Sequence, residues 1–154
     1  MTFQIDRFQG DPKIFITIDG AEMVFVSGQP LMDGGLENAV NISLLTKKGW
    51  YGNFLIDDPN KRVGSRYLVA VHQSITLSML VDSSNAIKQA LQWMVDSGIA
   101  SNVEGVVSNP DGKQLQSIAT VEPPGKDIEV LLLTKNGTNW IVQKLDPASG
   151  KVIE

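Results

Sequence analysis

The sequence predicts an α+β fold, with two main helices packed on antiparallel strands, an N-terminal hairpin and a C-terminal β-hairpin. Three observations predict it. Ala86, Ile87, Ala90, Leu91, Met94 and Val95 recur at helical spacing and define one amphipathic helix. Leu36, Ala39, Val40 and Leu44 do the same for an earlier one, over Gly35 to about Lys47. Asp19-Gly20 and Asn136-Gly137 each separate β-branched or aromatic runs, and such dipeptides favour the positive φ angles of tight hairpin turns.

In chain order, Lys13 to Ile18 and Met23 to Val26 flank Asp19-Gly20, and Ser27-Gly28-Gln29-Pro30 closes that unit. Asp33 stands where the first helix needs an N-cap, Lys47 and Lys48 favour its negative C-terminal end, and Gly49 offers a left-handed stop. Asn41 and Ser43 fall off the apolar stripe, whereas Ile42 and Leu45 widen it. Trp50 to Asn60 reads as a loop of aromatic, Asp, Asn and Gly residues. Gly64 to Val71 fits an extended or a loosely helical template. Asp82 or Ser83 can cap the second helix, Trp93 lies off its stripe, and Gly98 ends it. Beyond it, Val103 to Ser108 and Leu115 to Val121 flank the turn Asn109-Pro110-Asp111-Gly112. Glu122 to Gly125 breaks the chain. Ile128 to Thr134 and Trp140 to Leu145 then form the last hairpin, followed by a turn over Asp146 to Gly150. The chain is expected to be one domain: an N-terminal hairpin over residues 1–30, an α+β core over 33–124 and a C-terminal hairpin over 125–154.

Composition narrows the function. With 154 residues the chain can bury a substantial core. Charged residues make up 19%, below the usual share of about 25%. Partner-covered surface would explain that deficit, and so would an ordinary acidic domain. The net charge is -4, and the basic pairs Lys47-Lys48 and Lys61-Arg62 are short, so no phosphate-binding stripe exists and no nucleic-acid partner is expected. The absence of cysteine excludes disulfides, thiol catalysis and cysteine zinc sites, and fits assembly in a reducing cytosol. The opening residues Met1 to Arg7 lack a charged region followed by an apolar run, so no signal peptide is expected. Apolar runs such as Val130 to Leu133 are too short to span a bilayer, so no membrane partner is expected.

Catalytic constellations are sparse. His72 is the single histidine, so a metal site or a Ser-His-Asp triad lacks its usual ligands, and no G-x-S-x-G elbow accompanies any serine. Asp57, Asp58 and Glu104 are the carboxylates that a glycan hydrolase would have to recruit, but adjacent acids in a polar loop read as solvated turn residues. Gly49-Trp50-Tyr51-Gly52 lacks the spacing and the following Lys-Ser/Thr of a phosphate loop. No catalytic residue, metal or cofactor is expected.

Three stretches in one order, GLENAVNISLLTKKGWYGN, VGSRYL and AIKQALQWMVDSGIA, resemble the Mu-like phage baseplate protein family between Gly35 and Ala100. The family pattern has an arginine-rich, double-tryptophan, aspartate-ended loop where this chain has Lys-Lys-Gly-Trp-Tyr-Gly-Asn, and Leu-Trp where it has Tyr67-Leu68. The family is similar to the lysozyme-like wedge subunit of T-even baseplates and to its counterparts in secretion and injection machines. The resemblance implies a wedge subunit and sheath initiator, in six copies around the tail tube of a virion baseplate, assembled in the host cytoplasm. The implied partners are the tail sheath protein and the main wedge proteins, with tail tube or hub proteins as further candidates.

For such an initiator the surface to seek is an unpaired sheet edge, because strand addition gives affinity through main-chain hydrogen bonds. The hairpin Ile128 to Leu145 is the candidate, through Val130, Leu131, Leu132, Leu133, Trp140 and Val142. Its apolar run has two apolar faces, as expected if both become covered. Lys126, Lys135 and Lys144 are candidate guards against aggregation. The alternative is an ordinary core hairpin. Trp50, Tyr51, Arg66 and Trp93 are further interface candidates, since aromatic and arginine side chains dominate interface energetics. Trp50 could instead fold back on the first helix, with Arg66 bonded to loop carbonyls. A tail-borne peptidoglycan hydrolase using Asp57 or Glu104, and a host peptide-binding module, are the rival functions.

Overall fold

Residues 11–33 form short antiparallel pairs. The structure is a computed structural model and describes residues 11–17, 20–30, 32–33, 36–136 and 139–153. Strand β1 (Asp11–Pro12) pairs with β6 (Met32–Asp33), β2 (Ile14–Thr17) with β3 (Gly20–Met23), and β4 (Phe25–Val26) with β5 (Gln29–Pro30). The first hairpin corrects the expected turn. Thr17 pairs with Gly20, so Gly20 already belongs to a strand; residues 18 and 19 lie outside the described residues. The ladder is held from its open end, where the Val24 amide donates to the Lys13 carbonyl and the Ile14 amide to Asn38. Ser27 and Gly28 both have positive φ, 52° and 76°, as a two-residue hairpin turn requires.

Helix α1 (Glu37–Leu45) starts and stops differently from expectation. Asp33 pairs with Asp11 in the β1–β6 ladder and does not cap the helix. Leu36 occupies the cap position, and its amide donates to the Glu129 carboxylate at 3.0 Å. Thr46 is extended and ends the helix, because Lys47 bridges in parallel to Ser65. Gly49, with φ of 85°, therefore turns the following loop and is not the helix stop. Val40 and Leu44 are fully buried, but so nearly are Glu37, Asn38, Asn41 and Ser43, while Ile42 is exposed. Glu37 and Asn38 are buried because they grip neighbours, whereas Asn41 Oδ1 is buried without a hydrogen-bond partner among the described residues. Glu37 pairs with Lys13 at 3.3 Å, and Asn38 accepts from the Ile14 amide and donates to the Pro12 carbonyl.

Two more helices follow. Helix α2 (Tyr67–Ala70) is one turn, so the ambiguous stretch Gly64 to Val71 divides: Ser65 bridges to Lys47, and the helical turn begins only at Tyr67. Helix α3 (Leu77–Asp96) begins earlier than Asp82: Thr76 is extended and its hydroxyl accepts from the Met79 amide. Its expected stripe is the buried one, with Ile87, Leu91 and Met94 fully buried. Ser97 caps its end and Gly98 follows with φ of 77°, as expected.

Strands β7 (Asn102–Ser108), β8 (Gln116–Glu122), β9 (Glu129–Asn136) and β10 (Asn139–Leu145) form an antiparallel sheet in the order β10-β9-β8-β7. Residues 137 and 138 of the Asn136-Gly137 turn lie outside the described residues, but Asn139 pairs with Asn136, which confirms the hairpin's position. Alternation puts Val103 and Val107 of β7, Ala119 and Val121 of β8 and Leu131 and Leu133 of β9 into the core with α3. At Gly105 helix and sheet approach closely, since a Cβ there would lie 2.4 Å from the Ile87 side chain. Tyr67 ties α2 to the sheet: its hydroxyl lies 2.6 Å from Ser117 Oγ, and burial pushes the phenol far above its ordinary pKa.

Candidate interaction surfaces

Strand β10 ends the sheet, and its main-chain directions follow from one bond. The Lys144 carbonyl accepts from the Ile153 amide at 2.9 Å, so residue 144 points its backbone away from β9. Backbone direction repeats every second residue in an antiparallel strand, so Val142 and Trp140 point outward too. Among the described residues no ladder forms on that side, although β2 runs close by. At the other end of the sheet, Ser84 Oγ of α3 accepts from the Val107 amide of β7 at 2.9 Å.

The side chains of this hairpin divide by face. Leu131 and Leu133 are fully buried in the chain's own core, which corrects their assignment as partner contacts. The cause is ordinary alternation: both lie on the sheet face that carries Val107 and Ala119, while Val130 and Leu132 lie half-buried on the opposite face. Trp140 and Val142 are half-buried against the core, with the Trp140 ring centroid 5.5 Å from that of Tyr67. What β10 offers a partner is therefore backbone before side chain. Lys135 is exposed and lies 3.1 Å from His72 Nε2, whose other ring nitrogen contacts the Leu68 carbonyl.

Residues 46–66 form a knit projection. The Asn53 amide bonds both main-chain groups of Val63, at 2.7 and 2.9 Å. Ser65 is buried, donates to the Leu44 carbonyl at 2.8 Å and accepts from the Tyr67 amide. The Lys48 amide donates to the Ser65 carbonyl, and the Ser65 amide to that of Thr46. Gly64 lies so close to Lys47 that a Cβ would sit 2.4 Å from its carbonyl oxygen. Trp50 folds over Gly52, where a Cβ would meet its ring at 2.2 Å, and so packs within its own loop. The carbonyl ties weighed for Arg66 belong to Ser65 and to Arg62, whose Nε donates to Ile56, while Arg66 is exposed. Tyr51 is 79% exposed, and so to a similar degree are Phe54 and Leu55, at 75% and 74%. The sequence reading missed Phe54 and Leu55; their spacing from Tyr51 on a single turn was the available signal. Asn53→Ala should lower stability by about 1–2 kcal/mol and speed exchange of the Val63 amide, measurable by denaturation and hydrogen exchange.

Trp93 borders a groove of about 620 Å³ between α1, α3 and this projection, floored by Ala39, Ile42 and Ala90 and rimmed by Lys61, Arg62 and Asp96. Its indole N–H donates to Ser43 Oγ at 2.9 Å, so Trp93 also clasps the two helices together. Of the nominated carboxylates, Asp58 lines the groove, whereas Asp57, also on the projection, and Glu104, on β7, are exposed and do not. Among the described residues no three His, Asp or Glu side chains are placed to hold a metal ion, and no helix is long and apolar enough to cross a membrane.

No family model matches the chain, and no solved structure matches it. The chain is similar to the Mu-like prophage FluMu protein gp46 of Haemophilus influenzae, with 32% identity over 111 residues that cover 68% of this chain and 81% of that protein. Shared identity of that extent places this α+β chain in a phage protein family: it belongs to the family of the Mu-like prophage protein gp46.

Proposed function

We propose that this chain is a structural subunit of a contractile phage tail baseplate, where it serves as wedge protein and sheath initiator by accepting a strand from the first sheath ring. One observation carries the reading: β10 ends its sheet with the main chain of Trp140 and Val142 turned outward and no ladder on that side among the described residues. Main-chain groups in that state favour strand addition, because an extended partner satisfies them at small cost. Membership of a Mu-like prophage protein family supports a role in a phage particle. The projection bearing Trp50, Tyr51 and Arg66 is the surface for the main wedge proteins, in six copies per baseplate. The role is scaffolding and not catalysis.

Val142→Pro tests the reading. It removes an outward amide without touching the ladder to β9, and proline is tolerated at such edge positions. The variant should fold, as a thermal melt will show, and should leave baseplates without sheath in electron micrographs. Full sheaths on baseplates containing folded Val142→Pro would overturn the proposal. Ile141→Pro, which breaks the inner ladder, is the control for misfolding.

A further inference from the structure

The outer edge of β10 is already touched at one end by the chain itself. After Leu145 the backbone reverses through a turn in which the Asp146 carboxylate accepts from the Ser149 hydroxyl at 2.6 Å, and Gly150 adopts φ of 68°. The segment 151–153 then returns along β10, with Val152 opposite Leu145. The contact consists of the Ile153 amide on the Lys144 carbonyl at 2.9 Å and the Asp146 amide on the Lys151 carbonyl at 2.8 Å. Val152 and Ile153 remain 49% and 57% exposed, so the segment contributes main-chain bonds and little apolar burial. A segment held in that way detaches far more easily than a core strand. It also takes the Lys144 carbonyl, which lies in the same outward row as Trp140 and Val142.

We propose that residues 151–153 are a displaceable guard strand. Docked, they block the Lys144 end of the β10 edge and prevent two copies of the chain from pairing through it. Detached, they free the Lys144 end of that edge for an incoming strand. The identity of the displacing strand as sheath rests on the function proposed above; the guarding itself does not.

The test uses the free protein. In native-state hydrogen exchange, the Ile153 and Asp146 amides should be protected only about 10- to 100-fold, the protection that two weak hydrogen bonds supply. The Leu131 amide inside the sheet should be protected by several further orders of magnitude. A variant ending at Asp146 and the full-length variant Ile153→Pro, which lacks the guarding donor, should both become concentration-dependent dimers in analytical ultracentrifugation. The intact chain should stay monomeric, and so should Leu145→Cys/Val152→Cys, in which a disulfide locks the segment in place in a chain with no other cysteine. Ile153 exchange as slow as that of Leu131 would overturn the proposal. Folded, monomeric truncation and proline variants would do the same, and so would dimerisation of the intact chain through β10. Because no sheath is present, these results stand apart from the micrograph test of Val142→Pro, and either idea can fail alone.

Discussion

Gly64→Ala is expected to cost about 3–4 kcal/mol of stability, a large loss for an exposed-loop residue. Two costs combine. Gly64 has φ of 122°, a region that side chains with a Cβ almost never enter. The added methyl would also lie 2.4 Å from the Lys47 carbonyl oxygen and 3.0 Å from the Lys48 Cα. Both are backbone atoms, so no rotamer change relieves the clash, and the strand-like contact between residues 46–48 and 64–65 must open. That contact includes the Lys47–Ser65 bridge and the bond from Ser65 to Leu44, so the projection should loosen from the end of α1. Gly28→Ala is the comparison. Its φ of 76° is also left-handed, but nothing lies within 4 Å of the added methyl, so about 1 kcal/mol is expected. Urea denaturation of both variants checks the difference. Equal losses would mean that the approach of Lys47 is not what requires glycine at position 64.

Leu133→Ala should cost roughly 2–5 kcal/mol, against less than about 1 kcal/mol for Leu132→Ala. Leu133 is fully buried in the core, and truncating it removes apolar contact and leaves a cavity in a sheet that cannot collapse freely. Leu132, next along the strand, is half-buried on the other face. For a chain of this size the melting temperature should fall by about 5–15 °C in the first variant and by no more than a few degrees in the second. The pair separates folding from assembly at neighbouring positions. If Leu132→Ala proved as damaging to the isolated chain as Leu133→Ala, the division of the strand into a core face and a half-covered face would be wrong.

How far the sequence revealed this structure varied with how local the determining forces were. Helix α3 was legible between Ala86 and Gly98, because its stripe and its left-handed stop lie within the element. Its start was not: Leu77 and Val81 are exposed and give no stripe, so the capping role of Thr76 went unseen. Helix α1 was legible as a helix but not as to its faces. Glu37 and Asn38 are buried because Lys13, Ile14 and Pro12 come to meet them, and Leu36 is capped by Glu129 from a distant strand. No periodicity encodes such partners. The C-terminal hairpin was located by its turn, yet the side chains picked from it mostly face inward, since an apolar run alone does not say which residues the helix will cover. At the projection, Trp50 and Tyr51 were found from residue type. The roles of Gly52, Asn53, Gly64 and Ser65 became visible only once the two ends of the loop were brought together.

Strand β9 lies between β8 and β10, and it carries two of the deepest core side chains. This has a mechanical consequence for anything that docks on β10. A foreign strand pulled along its own axis would load the β10–β9 pairs in shear, so that they resist together and do not open one after another. The tension would pass through β9 into the packed interior. Under sustained pull, the durability of such a joint is set by the unfolding rate of that interior, not by the few hydrogen bonds at its rim.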